Sequence, residues 1–283
     1  MTLHKLTGAG NCFLFIDLLR QPRRARDKNR FIPKRKRRLL ARTLCDVYTG
    51  VGADGLIFLE SSRRADVKWD FYNADGSNAE MCGNAARCVG AYLLQQYERV
   101  TPTTIITRSG IIEVRPLARV RLSVRQATEF QVTMPSIRKI EIGHEFDFID
   151  SGVPHAVVHL DNGAHIKNVK YLEKVVEKIR KLRRFKKRGV NVTFYIPHRG
   201  KASKERSKRK IQALTFERGV RGFTRACGTG AVAAATSFAA SNALTSEQIA
   251  VQMPGGRLTI ELGKKRPILS GSAAYIAEIR LNR

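Results

Sequence analysis

The chain has 283 residues, 43% of them hydrophobic. That is enough to bury the cores of two modest domains or one large one, and it excludes disorder throughout. The longest apolar runs, such as Gly230 to Ala240, fall short of the roughly 18 to 20 residues that a membrane span needs. Met1 to Arg20 carries Asn11 and Asp17 in its most apolar stretch and has no small-residue cleavage site, so a soluble, cytoplasmic protein without membrane partners is expected. The net charge of +28 makes nucleic acid, an anionic surface or an acidic protein the first partners to weigh.

In chain order, Leu3 to Gly10 opens a first domain, and a basic block follows. Arg20 to Arg42 holds twelve basic residues against Asp27 alone. Val67, Trp69 and Phe71 then alternate with Lys68, Asp70 and Tyr72, which predicts a strand running into a turn at Asn73-Ala74-Asp75-Gly76. Met81 to Leu94, rich in alanine and leucine, reads as a helix. Two strands, Thr104 to Thr107 and Ile111 to Arg115, close the unit around Ser109-Gly110.

A boundary is expected near residue 128, giving domains 1–128 and 129–271, with 272–283 packing back onto the first. Phe130 to Pro135 would open the second domain. Val175, Val176, Ile179, Leu182 and Phe185 stand at near-helical spacing. They lie at the edge of a second basic block, Lys178 to Lys210, with fifteen basic residues against Glu205 alone. Surface helices with basic outer faces account for both blocks. A phosphate-tracking role is the alternative, although stacking aromatics are scarce there.

The second half repeats the order of the first. Ile211 to Phe216 reads as a strand, Arg218 to Gly222 as a turn, Ala226 to Ala235 as a helix start, and Ile249 to Met253 with Leu258 to Leu262 as a hairpin around Pro254-Gly255-Gly256. The fold class is therefore α+β: two similar, pseudo-duplicated domains of mixed sheet around a central helix, with the active site expected in the cleft between them.

Five cysteines, at 12, 45, 82, 88 and 227, lack CxxC spacing and paired histidines, which argues against a disulfide framework or a structural zinc site. Cys12, Cys45 and Cys88 read as buried small apolar residues. Cys82 and Cys227 differ, because each precedes Gly-[Asn/Thr]-[Ala/Gly]-Ala at a helix start in matching positions of the two halves. A helix N-terminus offers unpaired N–H groups and positive potential, which stabilise a thiolate relative to the free value of about 8.5. The glycine after each cysteine lets a carboxylate approach the same donors. Two such thiols in one cleft suggest racemisation or epimerisation, one removing an α-proton as the other delivers a proton to the opposite face. No Schiff-base lysine motif stands out, and neither a cofactor nor a metal is expected.

The residues Gly8-Ala9-Gly10-Asn11, Gly50 to Gly55, Asn73 to Ser77, Cys82 to Cys88, Gly152-Val153-Pro154-His155, Gly189 to Val192, Glu217-Arg218-Gly219 and Ala226 to Gly230 run in one order across almost the whole chain. In this the chain resembles the diaminopimelate epimerases, cofactor-independent two-cysteine enzymes that interconvert LL- and meso-diaminopimelate for lysine and peptidoglycan synthesis. The resemblance implies Cys82 and Cys227 as the acid/base pair, with Gly83, Asn84, Gly228 and Thr229 gripping the reacting carboxylate. It further implies Asn11, Asn73, Asn191, Glu217 and Arg218 as substrate contacts, and His155 and Glu217 as groups that tune the thiols. A satisfied structural histidine is the other reading of His155.

Cys12, Val153 and Phe223 depart from the family pattern, which usually has Asp, Asn or Ser, and Glu there. They leave open a racemase of another amino acid, of histidine or hydroxyproline type. The basic blocks leave open a nucleic-acid-binding protein on this scaffold. A small amino-acid substrate, a homodimer, and weak, non-specific nucleic-acid binding at most are the expected partners.

Overall fold

The computed structural model describes residues 1–19, 32–79, 81–122, 125–161, 163–197, 209–218, 222–244 and 248–281. Of the two basic blocks, residues 20–31 and 198–208 lie outside the described residues, as do 219–221 of the turn expected after Glu217. The chain divides into one unit of Met1–Val132 with Ser272–Arg283 and a second of Thr133–Gly271.

The first unit opens with a hairpin of β1 (Thr2–Gly8) and β2 (Asn11–Asp17). The turn between them places Ala9 at φ 50° and Gly10 at φ 83°, and only glycine adopts the second value without strain. After helix α1 (Lys34–Cys45), β3 (Gly55–Glu60) lies parallel to β2, and β4 (Val67–Asn73) returns antiparallel to β3. Helix α2 (Gly83–Tyr97) then crosses to β5 (Thr103–Thr107), parallel to β4. The sheet is completed by β6 (Gly110–Leu122) and β7 (Arg125–Thr133), and residues 273–280 pair antiparallel with β1.

Both faces of this sheet are covered, which explains the unbroken apolar runs Phe13 to Ile16 and Leu56 to Leu59. Leu14, Ile16, Leu56 and Phe58 pack with Ala41 and Leu44 of α1. On the other face the Phe15 ring stacks on Tyr92 of α2, 5.7 Å between centroids. Helix α2 is buried continuously from Gly83 to Leu93. Small residues allow this: a Cβ on Gly8 would lie 2.8 Å from the Asn84 carbonyl oxygen.

The expected strand forms as Val67–Asn73, and Asp70 and Tyr72 are buried in it beside Val67, Trp69 and Phe71; Asp70 accepts from Arg37 of α1 at 2.9 Å and from the Tyr72 hydroxyl at 3.0 Å. Arg37 belongs to the first basic block, yet it is 3% exposed, pairs also with Glu60 at 2.6 Å and lies over the Phe58 ring. A buried guanidinium is tolerated only when paired in this way. The boundary near 128 falls inside β7, whose pairing with β6 runs from Leu122↔Arg125 to Val114↔Val132. Phe130 to Val132 therefore closes the first unit rather than opening the second.

The second unit repeats the plan. β8 (Lys139–Glu141) and β9 (Asp147–Asp150) precede β10 (Pro154–His159). Helix α3 (Val169–Arg180) leads to β11 (Asn191–Pro197), parallel to β10, and β12 (Lys210–Glu217) returns antiparallel, carrying the short β13 (Gly222–Thr224). Helix α4 (Gly228–Ser241) then crosses to β14 (Gln248–Met253), parallel to β12, followed by β15 (Gly256–Glu261) and the start of β16 (Ile268–Arg280). The match is element by element: β2, α1, β3, β4, α2 and β5 recur as β10, α3, β11, β12, α4 and β14, with the same parallel and antiparallel pairings.

The outer helix α3 is one-sided. It buries Leu172, Val176 and Ile179 against Val158, Val192 and Phe194 while its lysines stay in solvent, the i, i+4, i+7 stripe of an amphipathic helix. At roughly 1.5 to 3 kcal/mol per buried side chain, those three residues hold the helix down. Central helix α4, by contrast, is buried from Gly228 to Ala239, which its run of alanines permits.

Candidate active site

Each central helix begins at a cysteine. Cys82, extended at φ −145°, caps α2, and its Sγ accepts the Ala85 N–H at 3.5 Å. Cys227, extended at φ −125°, caps α4, and its Sγ accepts the Gly230 N–H at 3.4 Å. Sulfur thus occupies the place of a capping oxygen, among the first N–H groups of a helix, which have no intrahelical acceptor. Such donors favour an anion, whether thiolate or carboxylate.

Around Cys82 the structure gathers Gly83, Asn84 and Asn11. Asn84 donates to Asn11 Oδ1 at 2.8 Å, and its own Oδ1 accepts from Arg87 Nη2 at 2.9 Å. Arg87 is fully buried and also donates to the carbonyls of Gly83 and Ser272. Burial lowers its guanidinium to about 10, partly offset by Cys88, Cys82 and Glu129, so the charge is retained at neutral pH. Asn73 ends β4 at the same end of the sheet, in register with Gly55 of β3, and donates to Ser77 Oγ at 2.9 Å.

Around Cys227 the structure gathers Thr229, His155, Asn191 and Arg218. The Thr229 hydroxyl lies 3.5 Å from Cys227 Sγ and 3.0 Å from His155 Nε2. His155 and Asn191 are register partners on β10 and β11, and Asn191 Nδ2 approaches Nε2 at 3.4 Å. The Arg218 N–H donates to Asn191 Oδ1 at 3.0 Å. On its far side His155 Nδ1 meets Thr193 Oγ1 at 2.9 Å, which meets Thr215 Oγ1 at 3.0 Å. Burial, and secondarily the Arg218 charge, lowers the imidazole to about 3, so it is neutral at working pH. Glu217 accepts from the Thr224 hydroxyl at 2.8 Å.

The two sites are built alike. The second residue of the helix, Asn84 or Thr229, bridges to a polar residue at the opening of the neighbouring strand, Asn11 or His155. They differ in what lies behind: a buried cation in the first unit, a neutral histidine and two threonines in the second. Arg87, Thr193 and Thr215 went unnoticed in the sequence. A signal existed for Arg87, three residues after Asn84 inside the cysteine motif, and for the threonines as polar residues in otherwise apolar strands.

The remaining cysteines separate by burial. Cys45 and Cys88 are buried as expected; burial pushes the Cys45 thiol up to about 12 and raises that of Cys88 far above its ordinary range. Cys12 is only half-buried, because it sits at the opening of β2, where its N–H donates to Asp54 at 2.7 Å. Phe223 packs its ring against Phe216 and Phe194. Among the described residues no cluster of metal-ligating side chains occurs, and no helix is long and apolar enough to cross a membrane.

Comparison with known proteins defines the class. The diaminopimelate epimerase family profile matches residues 3–121 and 148–275. The chain is 29% identical to a diaminopimelate epimerase of Flavobacterium psychrophilum, over 98% of this chain and 99% of that one. It is 32% identical to the diaminopimelate epimerase of Aquifex aeolicus, over 100% and 98%. The fold is shared with a phenazine biosynthesis protein of the PhzF family from Bacillus anthracis, at a TM-score of 0.71 and 14% identity over 100% of this chain and 99% of that one. Fold and relatives together define an isomerase acting on an amino acid. The chain belongs to the diaminopimelate epimerase family.

Proposed function

We propose that the protein interconverts LL- and meso-diaminopimelate by two-base proton transfer, with Cys82 and Cys227 as the acid/base pair and without a cofactor. The observation that carries this reading is the repeated helix cap: one thiol per unit, in matching positions, each accepting an N–H three residues on. A stereochemical inversion at one α-carbon needs a base on one face and an acid on the other, and two equivalent thiols supply both. One is deprotonated while the other is protonated, so the pH dependence belongs to the pair.

In this reading the N–H groups of Gly83, Asn84, Gly228 and Thr229 hold the reacting carboxylate, whose negative charge grows as the α-proton leaves. Asn11, Asn73 and Asn191 offer amides, and Glu217 and Arg218 opposite charges, to a substrate with an amino and a carboxylate group at each end. Lysine and peptidoglycan precursor synthesis in the cytoplasm, by a homodimer, is the setting we assign. The test is incubation with LL-diaminopimelate in deuterated water without added cofactor. Formation of the meso isomer with deuterium at the inverted α-carbon is expected; neither inversion nor exchange would refute the assignment, and turnover of another amino acid alone would replace the substrate.

A further inference from the structure

The direction of the hydrogen-bond chain behind Cys227 is set from its Arg218 end. Arg218 N–H can only donate, so the Asn191 atom it meets at 3.0 Å is Oδ1, and the amide nitrogen faces His155 Nε2. An amide nitrogen also only donates, so Nε2 carries no proton. The neutral ring therefore holds its proton on Nδ1 and donates it to Thr193 Oγ1, 2.9 Å away. Thr193, accepting from the ring, is linked in turn to Thr215 Oγ1 at 3.0 Å. All three links lie among buried residues: His155, Thr193 and Thr215 are each 0% exposed.

One hydroxyl is left with a choice. Thr229 Oγ1 lies between the bare Nε2, at 3.0 Å, and Cys227 Sγ, at 3.5 Å, and has a single proton to give. We propose that Thr229 is a two-position donor coupled to the protonation of Cys227: it donates to Sγ when Cys227 is a thiolate, and to His155 Nε2 when Cys227 is a thiol whose S–H donates to Thr229 Oγ1. Only the hydroxyl rotates. The proton exchanged with the substrate α-carbon stays on sulfur or carbon, and neither Thr229 nor His155 gains or loses one. His155 is thus a positioning residue, held in one tautomer by Asn191 on one side and Thr193 with Thr215 on the other, and it gives the hydroxyl a resting acceptor. The groups that touch the imidazole from β11 and α4 are neutral; Arg218, at the end of β12, is the charged group that acts on it. This inference rests on the assignment of Cys227 as an acid/base residue.

The test compares Thr229→Val, which keeps the shape and removes the donor, with Thr229→Ser, which keeps the donor. The substrate must reach Cys227, so iodoacetamide is a suitable probe. Its reaction with Cys227 is followed across pH by mass spectrometry of the Cys227 peptide, which requires no turnover. The valine variant should shift the profile to higher pH and react about tenfold more slowly at about pH 7, while serine stays within about twofold of the parent. A valine profile matching the parent, or a serine profile matching valine, overturns the proposal. Nitrogen-15 shifts of the His155 ring in the parent, assigned by comparison with His155→Gln, give a second readout independent of the variants' folding. Protonated Nδ1 and bare Nε2 from about pH 5 to 9 are expected, and a proton on Nε2 overturns the proposal. Absence of epimerisation in the deuterium experiment, with these readouts intact, would instead refute the assigned reaction.

Discussion

At the scale of single residues, the five cysteines divide by surroundings rather than by chemistry. Cys82→Ala and Cys227→Ala should each lower the epimerisation rate by about 10² to 10⁴, the usual worth of a positioned acid or base. Cys45→Ala and Cys88→Ala should leave it within a few-fold, since burial holds both as thiols; steady-state kinetics on the four variants checks this. His155 makes a separate prediction about stability. Its folded value, about 3, lies below the ordinary 6.5, so between them the unfolded chain binds the additional proton and stability falls as pH falls. Over about pH 6.5 to 4.5, before most carboxylates protonate, the loss should be about 2 to 3 kcal/mol. His4, also lowered by burial, acts in the same direction. The difference between parent and His155→Gln in urea midpoint against pH therefore isolates the His155 share, and equal slopes would contradict it.

Among elements, the central helices show propensity and packing in conflict. Gly90 lies inside α2, where alanine would favour the helix by about 1 kcal/mol. A Cβ there, however, would stand 2.8 Å from Phe130 Cδ1 and 3.0 Å from Val114 Cγ2, both in fully buried side chains. Overpacking costs about 1 to 3 kcal/mol and should win, so Gly90→Ala is expected to lower the unfolding free energy by up to about 2 kcal/mol. Denaturant unfolding checks this, and a gain in stability would show that Phe130 yields. The same contrast marks what could be read in advance. Strand, helix and closing hairpin were legible in both halves, and the turn in the first, because alternation, Asn73 to Gly76 and the alanine-rich runs are local signals. β2, β3, β10 and β11 were not read out, since strands covered on both faces lose their alternation. The polar chain from Asn191 through His155 to Thr215 was missed for a related reason: its members come from three strands, and pairing register alone brings them together.

At the scale of the molecule, the +28 charge is the property the fold and the thiols do not use. Within the described parts of the two blocks, Lys178, Lys181 and Arg184 are exposed and paired with Glu145, Glu177 and Glu141. Exposed pairs of this kind contribute at most about 1 kcal/mol each. Arg37 is the exception, buried against Glu60 and Asp70. Charge removal should therefore separate two effects. Replacing Lys178, Lys181, Arg183, Arg184, Lys186 and Lys187 with glutamine should leave epimerisation within a few-fold, because charges farther than about 8 Å across water are largely screened at physiological salt. The same replacement should weaken retention of nucleic acid, which is expected to be non-specific and to fall steeply between about 50 and 200 mM salt. Adding Arg37→Gln should instead cost about 3 to 5 kcal/mol of stability, since it leaves Asp70 buried without its cation. Filter binding of random and defined oligonucleotides across salt, beside denaturant unfolding of the two variants, tests both halves. Tight binding of one sequence at physiological salt would make nucleic acid a specific partner and remove the reading of these blocks as a solvated coat.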